Sequence, residues 1–290
     1  MHVSIIVTHN PHIQKLCSLC ANLLSQGSYL VIVDNSEKSI NREDLISSDS
    51  IKLISLKKNM GIAHAQNIGI SCANDIKAKY VSFFDQDSSV NKLFISELIS
   101  EIDKKKYHIV APRAMDNDSK EYLDALKINK FGIPSKVCLN KDNEIKADIV
   151  ISSGTTLLLS VIEKVGLFDE GLFIDHVDTE WCLRCRKNGF DIHVISSVQM
   201  LHSIGSARSK LGPLTIQIHN SDRCYYQIRN SFLLLRKDSI PKLFAINEII
   251  KTLINRFLLL LLIKNKTRYL KSYFFAIIDG VFNKDGPKIR

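Results

Sequence analysis

Tyr80-Val81-Ser82-Phe83-Phe84-Asp85-Gln86-Asp87 is an apolar run that ends in two carboxylates. Its length and residue types are those of a buried strand. Side chains alternate along a strand, so positions 85 and 87 point the same way. Two anions at the open end of a strand repel unless a cation sits between them. Carboxylates are hard oxygen ligands, suited to Mg²⁺ or Mn²⁺ bridging to a phosphate. A solvated loop can carry the same triplet, so its neighbours decide.

Upstream, Val3 to Thr8 reads as a first strand ending at His9-Asn10-Pro11. Ile13 to Gln26 has apolar residues at helical spacing. Tyr29 to Val33 is a second strand and ends at Asp34-Asn35-Ser36. Ile51 to Leu56 is a third, and Ile62 to Ala73 is a helix rich in small residues. Downstream, Leu93 to Ile102 reads as a helix and Ile109 to Ala111 as a strand. Such alternation predicts an α/β fold with a mostly parallel sheet flanked by helices, of the doubly wound type. Ligands of such sheets sit beyond the carboxyl ends of the strands, where the polar clusters fall.

Met115 to Ala147 reads as loops or a short hairpin, and strand-like residues return from Ile149 to Ser160. A helix and turn are expected over Ile162 to Asp169. Thr179 to Lys187 predicts a helix stopped by Asn188-Gly189, and Asp191 to Leu201 a strand ending at His202.

Two further stretches carry chemistry. In Asn59-Met60-Gly61-Ile62-Ala63-His64-Ala65, the small residues let a helix start lie close to a ligand or to the sheet. Asp175-His176-Val177-Asp178-Thr179-Glu180-Trp181 has three acids in six residues, more than a helix cap needs. One of them can take a proton from a hydroxyl.

In this order, these pieces resemble glycosyltransferase family 2, inverting enzymes with the GT-A fold. The resemblance covers roughly residues 3 to 230. It rests on Ser4 to Thr8, Val33 to Ser36, Asn59 to Gly69, Asp85-Gln86-Asp87, Gly166 to Glu170, Val177 to Trp181 and His202. Asp-His-Val-Asp-Thr-Glu-Trp and Tyr225-Tyr226-Gln227-Ile228-Arg229-Asn230 look most like bacterial rhamnosyltransferases of surface-polysaccharide assembly.

The resemblance implies a nucleoside-diphosphate sugar donor lying against Thr8, Asn10, Asp34, Asn59, Gly61 and Asp85. Asp87, His202 and Asp85 would hold Mg²⁺ or Mn²⁺. Asp178 would be the catalytic base, Glu180 and Arg184 would support the acceptor or diphosphate, and Arg229 would reach the diphosphate. The donor it implies is TDP-rhamnose, with a UDP-sugar (galactofuranose or N-acetylhexosamine) as the alternative. A silent nucleotide-sugar-binding membrane adaptor is the alternative from another class. Many relatives carry Glu-Asp where this chain has Val177-Asp178. Asp175 and Glu180 are close enough in sequence that geometry must choose among the three.

Composition fits a globular chain, with 45% hydrophobic and 24% charged residues among 290. An NAD-dependent oxidoreductase is disfavoured, because no Gly-x-Gly-x-x-Gly follows the first strand. Cys17/Cys20 and Cys182/Cys185 lie in helical stretches rather than zinc-type turns and read as reduced buried thiols. The net charge is +9, yet from Phe232 onward 12 Lys/Arg face only 4 Asp/Glu. The expected division is therefore a catalytic domain over 1–231 and a basic, apolar helical segment over 232–290. Basic residues flanking apolar stretches suit an anionic membrane surface rather than nucleic acid, and so a lipid-linked saccharide acceptor. With no signal-peptide pattern at the start, the expected place is the cytoplasm, peripheral at the inner face of the bacterial plasma membrane.

Overall fold

The computed structural model describes residues 1–116, 120–123, 125–137, 145–202, 207–211 and 214–289, with backbone alone for 202, 207–211 and 214–216. A nine-stranded sheet runs through it. Its first half is parallel: β3 (Ile51–Ser55), β2 (Tyr29–Asp34), β1 (His2–Thr8) and β4 (Tyr80–Asp85) lie side by side. Beyond β4 the chain departs from simple winding. The return strand Thr156–Leu158 enters antiparallel between β4 and Ile109–Asp116. Ile192–His202 then pairs parallel with Ile109–Asp116, across a register break between Ile195 and Gln199.

Burial on both faces explains why the central strands read as continuous apolar runs. Val3 and Ile5 face one helical layer while Ile6 faces the other, and Val31 and Val33 alternate likewise with Leu30 and Ile32. On one side α1 (Ile13–Ser25) presents Leu16, Leu19, Cys20 and Leu23. On the other, α2 (Ile62–Asp75) lays Ala63, Ala65 and Ala73 against the sheet, together with Trp181, Cys182 and Cys185 of a later helix. Helices α3 (Phe94–Lys105), α4 (Leu159–Val165) and α5 (Val177–Lys187) complete these layers. α4 starts three residues before the predicted helix, straight out of the antiparallel strand. α5 ends at Asn188-Gly189 as the sequence predicts, with Gly189 at φ +81°.

The C-terminal region is helical: α6 (Ser221–Leu234), α7 (Lys242–Leu262) and α8 (Lys266–Val281). The boundary expected at 231 falls inside α6. α8 crosses α6 closely, since a Cβ on Gly280 would lie 2.7 Å from Phe232 Cβ. Tyr225, Ile228, Leu259, Tyr273 and Ala276 form a joint apolar core that includes Phe173. The chain after α8 returns to the middle of the molecule: the Gly286 N–H donates to the Gly171 carbonyl at 2.7 Å. Lys288 Nζ reaches Asp222 at 2.7 Å. These helices are therefore a wall of the same body.

Candidate active site

β1, β2 and β4 end level, with Thr8 opposite Asp34 and Val7 opposite Asp85. Beyond their carboxyl ends opens a cleft of about 1070 Å³. Thr8, His9, Asn35, Asn59, Gly61, Asp85, Gln86, Asp87 and Ser152 line its sheet side. Phe173 to Thr179, Arg223 from α6 and Lys251 from α7 line the opposite side.

Hydrogen bonds between loops shape the sheet side. Asp34 is fully enclosed. Its Oδ1 accepts from Thr8 Oγ1 at 3.0 Å and Ser36 Oγ at 2.6 Å, and its Oδ2 from the Ile40 N–H at 2.9 Å. The Asn10 N–H donates to Ser36 Oγ at 2.7 Å. Neither Asn10 nor Asp34 is among the described residues lining the cleft, so both organise the loops that bound it. Asn35 lines it instead. Its Nδ2 donates to Asn59 Oδ1 at 3.2 Å and to the Gly61 carbonyl, and its Oδ1 accepts from the Met60 N–H at 2.7 Å. Gly61 has φ +90°, and a Cβ there would sit 2.6 Å from the Phe173 carbonyl oxygen, so only glycine fits.

The structure separates the three acids left open by the sequence. Asp178, half-buried, lines the cleft. Burial first, and then the negative charge of Asp85, push its carboxyl up to about 6, while hydrogen bonds from Ser152 act the other way. A base near neutrality is well matched to taking a hydroxyl proton. Asp175 also lines the cleft, but its carboxylate is paired with Arg223 Nη2 at 3.1 Å and Nε at 3.2 Å. Glu180 is buried and turned away, because two residues along a helix is about 200° of rotation. Arg184 holds both its oxygens, Nη2 to Oε2 at 2.8 Å and Nε to Oε1 at 2.9 Å. Arg184 also donates to the carbonyls of Val165 and Leu167 at 2.8 Å.

Arg229 is likewise enclosed. Its guanidinium donates to the carbonyls of Gly171, Leu172 and Gly286 and to Asn230 Oδ1. In this structure Glu180, Arg184 and Arg229 tie elements together outside the cleft, where the resemblance implied contact with acceptor or diphosphate.

Asp85 and Asp87 both line the cleft, half-buried. Among the described residues no group of three His, Cys, Asp or Glu is placed to hold a metal ion. His202 closes its strand, and its side chain lies outside the described residues. The oxygen donors at 85 and 87 nonetheless fit a hard divalent cation, which commonly takes one or two carboxylates and completes its shell with phosphate and water. After burial, the negative charge of Asp85 is the next cause that raises the Asp178 carboxyl, and it has the sign that such an ion would offset.

Sequence reasoning missed Ser152, Gln66, Arg223 and Lys251. Gln66 Nε2 donates to Ser152 Oγ at 3.0 Å, leaving the Ser152 hydroxyl hydrogen for Asp178. The only signal in the chain was a serine pair, Ser152-Ser153, at the entry to a strand. Lys251 stands outside the segment first read as catalytic.

A sheet of this order with acids at its open edge, a cleft beyond it and a separate carboxylate across the cleft is the GT-A architecture of sugar-nucleotide transferases. Residues 4–165 match the Glycosyl transferase family 2 domain, and the chain belongs to that family. It is 39% identical over 279 residues to dTDP-rhamnosyl transferase RfbF of Shigella flexneri, covering 96% of this chain and 94% of that one. It is 22% identical to the low-salt glycan biosynthesis hexosyltransferase Agl10 of Haloferax volcanii, over 99% and 94% of the two chains. Among solved structures, TarS 1-349 of S. aureus in complex with UDP-GlcNAc superposes with a TM-score of 0.55, at 15% identity, over 98% of this chain and 82% of that one. GalNAc-T7 with UDP, GalNAc and Mn2+ superposes at 0.58 and 14% identity, over 86% of this chain and 55% of that longer one. These two likenesses show the fold.

Proposed function

We propose that this chain transfers L-rhamnose from dTDP-rhamnose to a hydroxyl of a saccharide acceptor, with inversion, in bacterial O-antigen or capsule synthesis. The observation that carries the donor is the 39% identity, along nearly the whole length of both chains, to a dTDP-rhamnosyl transferase. The acceptor oxygen attacks the anomeric carbon as the bond from that carbon to the diphosphate oxygen breaks. Asp178 takes the acceptor proton, and Gln66 and Ser152 orient it. Asp85 and Asp87 would hold Mg²⁺ or Mn²⁺, which when bound supplies positive charge to the departing diphosphate.

The acceptor is lipid-linked, and the enzyme works at the inner face of the plasma membrane. Among the described residues no helix is long and apolar enough to cross a membrane. α7, however, exposes Leu243, Ile246, Ile250, Ile254, Phe257 and Leu261, spaced three and four apart along one face. Exposed Lys242, Lys264, Lys266, Arg268 and Lys271 lie at the ends of this stripe and beside it on α8. An apolar stripe rimmed by cations fits a surface helix on anionic lipid.

A thermal-shift panel of dTDP, UDP and GDP with Mg²⁺ or Mn²⁺ tests the donor, since a ligand of the native state raises apparent stability. dTDP is expected to give the largest rise, and a rise with UDP alone overturns rhamnosyl transfer. For the surface, full-length protein co-sediments with anionic liposomes, is partly released by salt, and loses binding in the double variant Ile250→Glu/Phe257→Glu. Wild type that ignores such liposomes removes the membrane from the reading.

A further inference from the structure

A departing nucleoside diphosphate carries more negative charge than one divalent ion neutralises, and the arginine expected to share it, Arg229, is sealed. The Arg229 guanidinium is taken up by the carbonyls of Gly171, Leu172 and Gly286, by Asn230 and by the Tyr225 and Tyr226 side chains. Six residues earlier on α6 stands Arg223, about 120° round the helix from Arg229. That rotation takes it from the core to the cleft. Its place is fixed by the helix start, where its own N–H donates to the capping Asn220 Oδ1 at 2.8 Å.

Three observations give this guanidinium a purpose. Its side chain keeps 40% of its surface open, so a ligand in the cleft can reach it. It sits in the field of two cleft carboxylates, Asp175 in contact and Asp85 beyond. The contact with Asp175 engages Nε and Nη2 and not Nη1. Asp175 is itself held from α6: Asn230 Nδ2 donates to the carbonyls of Leu172, Ile174 and Asp175 at 2.8, 2.8 and 3.0 Å. That clamp fixes a loop in which Asp175 and His176 both have φ near +60°. One helix therefore supplies both the cation and the brace for the anion that aligns it.

We propose that Arg223 is the protein's own ligand for the donor diphosphate, and that Asp175 holds it extended into the cleft until phosphate oxygens replace the carboxylate. A planar fork matches two phosphate oxygens as it matches two carboxylate oxygens, so the exchange keeps its geometry. The proposal rests on the donor being a nucleoside diphosphate sugar. The competing account is an ion pair that only pins the Asp175 loop.

Calorimetric titration of full-length wild type, Arg223→Ala, Arg223→Lys, Asp175→Asn and Arg223→Ala/Asp175→Asn with dTDP and with thymidine separates the two accounts. Loss of a charge-assisted phosphate contact predicts that Arg223→Ala weakens dTDP about 10- to 100-fold and leaves thymidine within about twofold. Arg223→Lys recovers part of the loss. Asp175→Asn tightens dTDP, and that gain vanishes in the double variant. Unchanged dTDP affinity in Arg223→Ala, or an equal loss for dTDP and thymidine with a lowered melting temperature, overturns the proposal. Wild type that binds UDP and ignores dTDP overturns the rhamnosyl reading instead, and the same variants are then read with UDP and uridine.

Discussion

The two walls of the cleft are built by opposite means. The sheet wall takes its shape from strand ends and carries the acids Asp85 and Asp87, with loops laced by Asp34, Asn35 and Asn59. The helical wall takes its shape from side chains that reach across elements. Asn230 braces the carbonyls of Leu172, Ile174 and Asp175, Arg229 shares that of Leu172 and adds those of Gly171 and Gly286, and Arg184 grips Glu180. Asp178 stands on the helical wall yet feels Asp85 on the other. On the sheet wall, chain order alone places the reactive group. On the helical wall, rotation about a helix axis decides which of several similar residues reacts.

The sharpest test of that division is metal removal. Chelator is expected to abolish transfer, and Asp87→Ala to weaken metal-dependent nucleotide binding, both read in a transfer assay and a nucleotide titration. Full activity in chelator breaks the account of the sheet wall. Next in size, Asp178→Asn keeps shape but cannot accept a proton. Turnover should fall by about two orders of magnitude or more, with donor affinity nearly unchanged. If steady-state kinetics give that signature to Asp175→Asn or Glu180→Gln, the helical wall has been read in the wrong rotation.

Glu180→Gln should act on stability instead. It leaves the half-buried Arg184 against a neutral amide, with its two carbonyl acceptors kept, and should cost about 1–2 kcal/mol in denaturant unfolding. The smallest effect has the most informative sign. The native carboxyl of Asp178, near 6, stands above its unfolded value of 3.8. The protonated form is therefore favoured by folding, and wild type gives up that stability as pH rises through 6. Metal-free Asp178→Asn should gain about 1–2 kcal/mol over wild type at pH 7.5, discounted for the open cleft, and nothing below about pH 4. A variant less stable than wild type at pH 7.5 would show that Asp178 is a structural ligand of Ser152 rather than a strained base.

Much of the sheet wall was legible in the chain. Strands buried on both faces give unbroken runs such as Ile5-Ile6-Val7 and Val31-Ile32-Val33, and polar residues at their ends had to lie together. The function of Asp34 was not legible, because nothing in a strand-end aspartate says that Thr8 and Ser36 will occupy its oxygens. On the helical wall the acid cluster was visible and Asp178 was favoured as the base, but residue order alone did not exclude Asp175 or Glu180, although residues 178 and 180 must face apart on any helix. Arg229 drew attention through its neighbours, while Arg223, in the same helix, carried no mark of its own. The strand Thr156–Leu158 was seen as strand-like but not as antiparallel, since direction depends on a connection that no local pattern records.

The clasp between Gly286 and Gly171 bears on biosynthesis. A ribosome delivers this chain from residue 1 onward, so Gly286 emerges after every residue it touches. The parallel strands can pair as they appear. The floor beneath Phe173 cannot close until α8 has crossed α6 and the Gly286 carbonyl has met Arg229. A nascent chain halted within α8 already holds Asp85, Asp87 and Asp178, yet its Arg229 lacks the Gly286 carbonyl among its acceptors and its cleft lacks a finished wall. The wall opposite the sheet is thus the last part of the cleft to be completed.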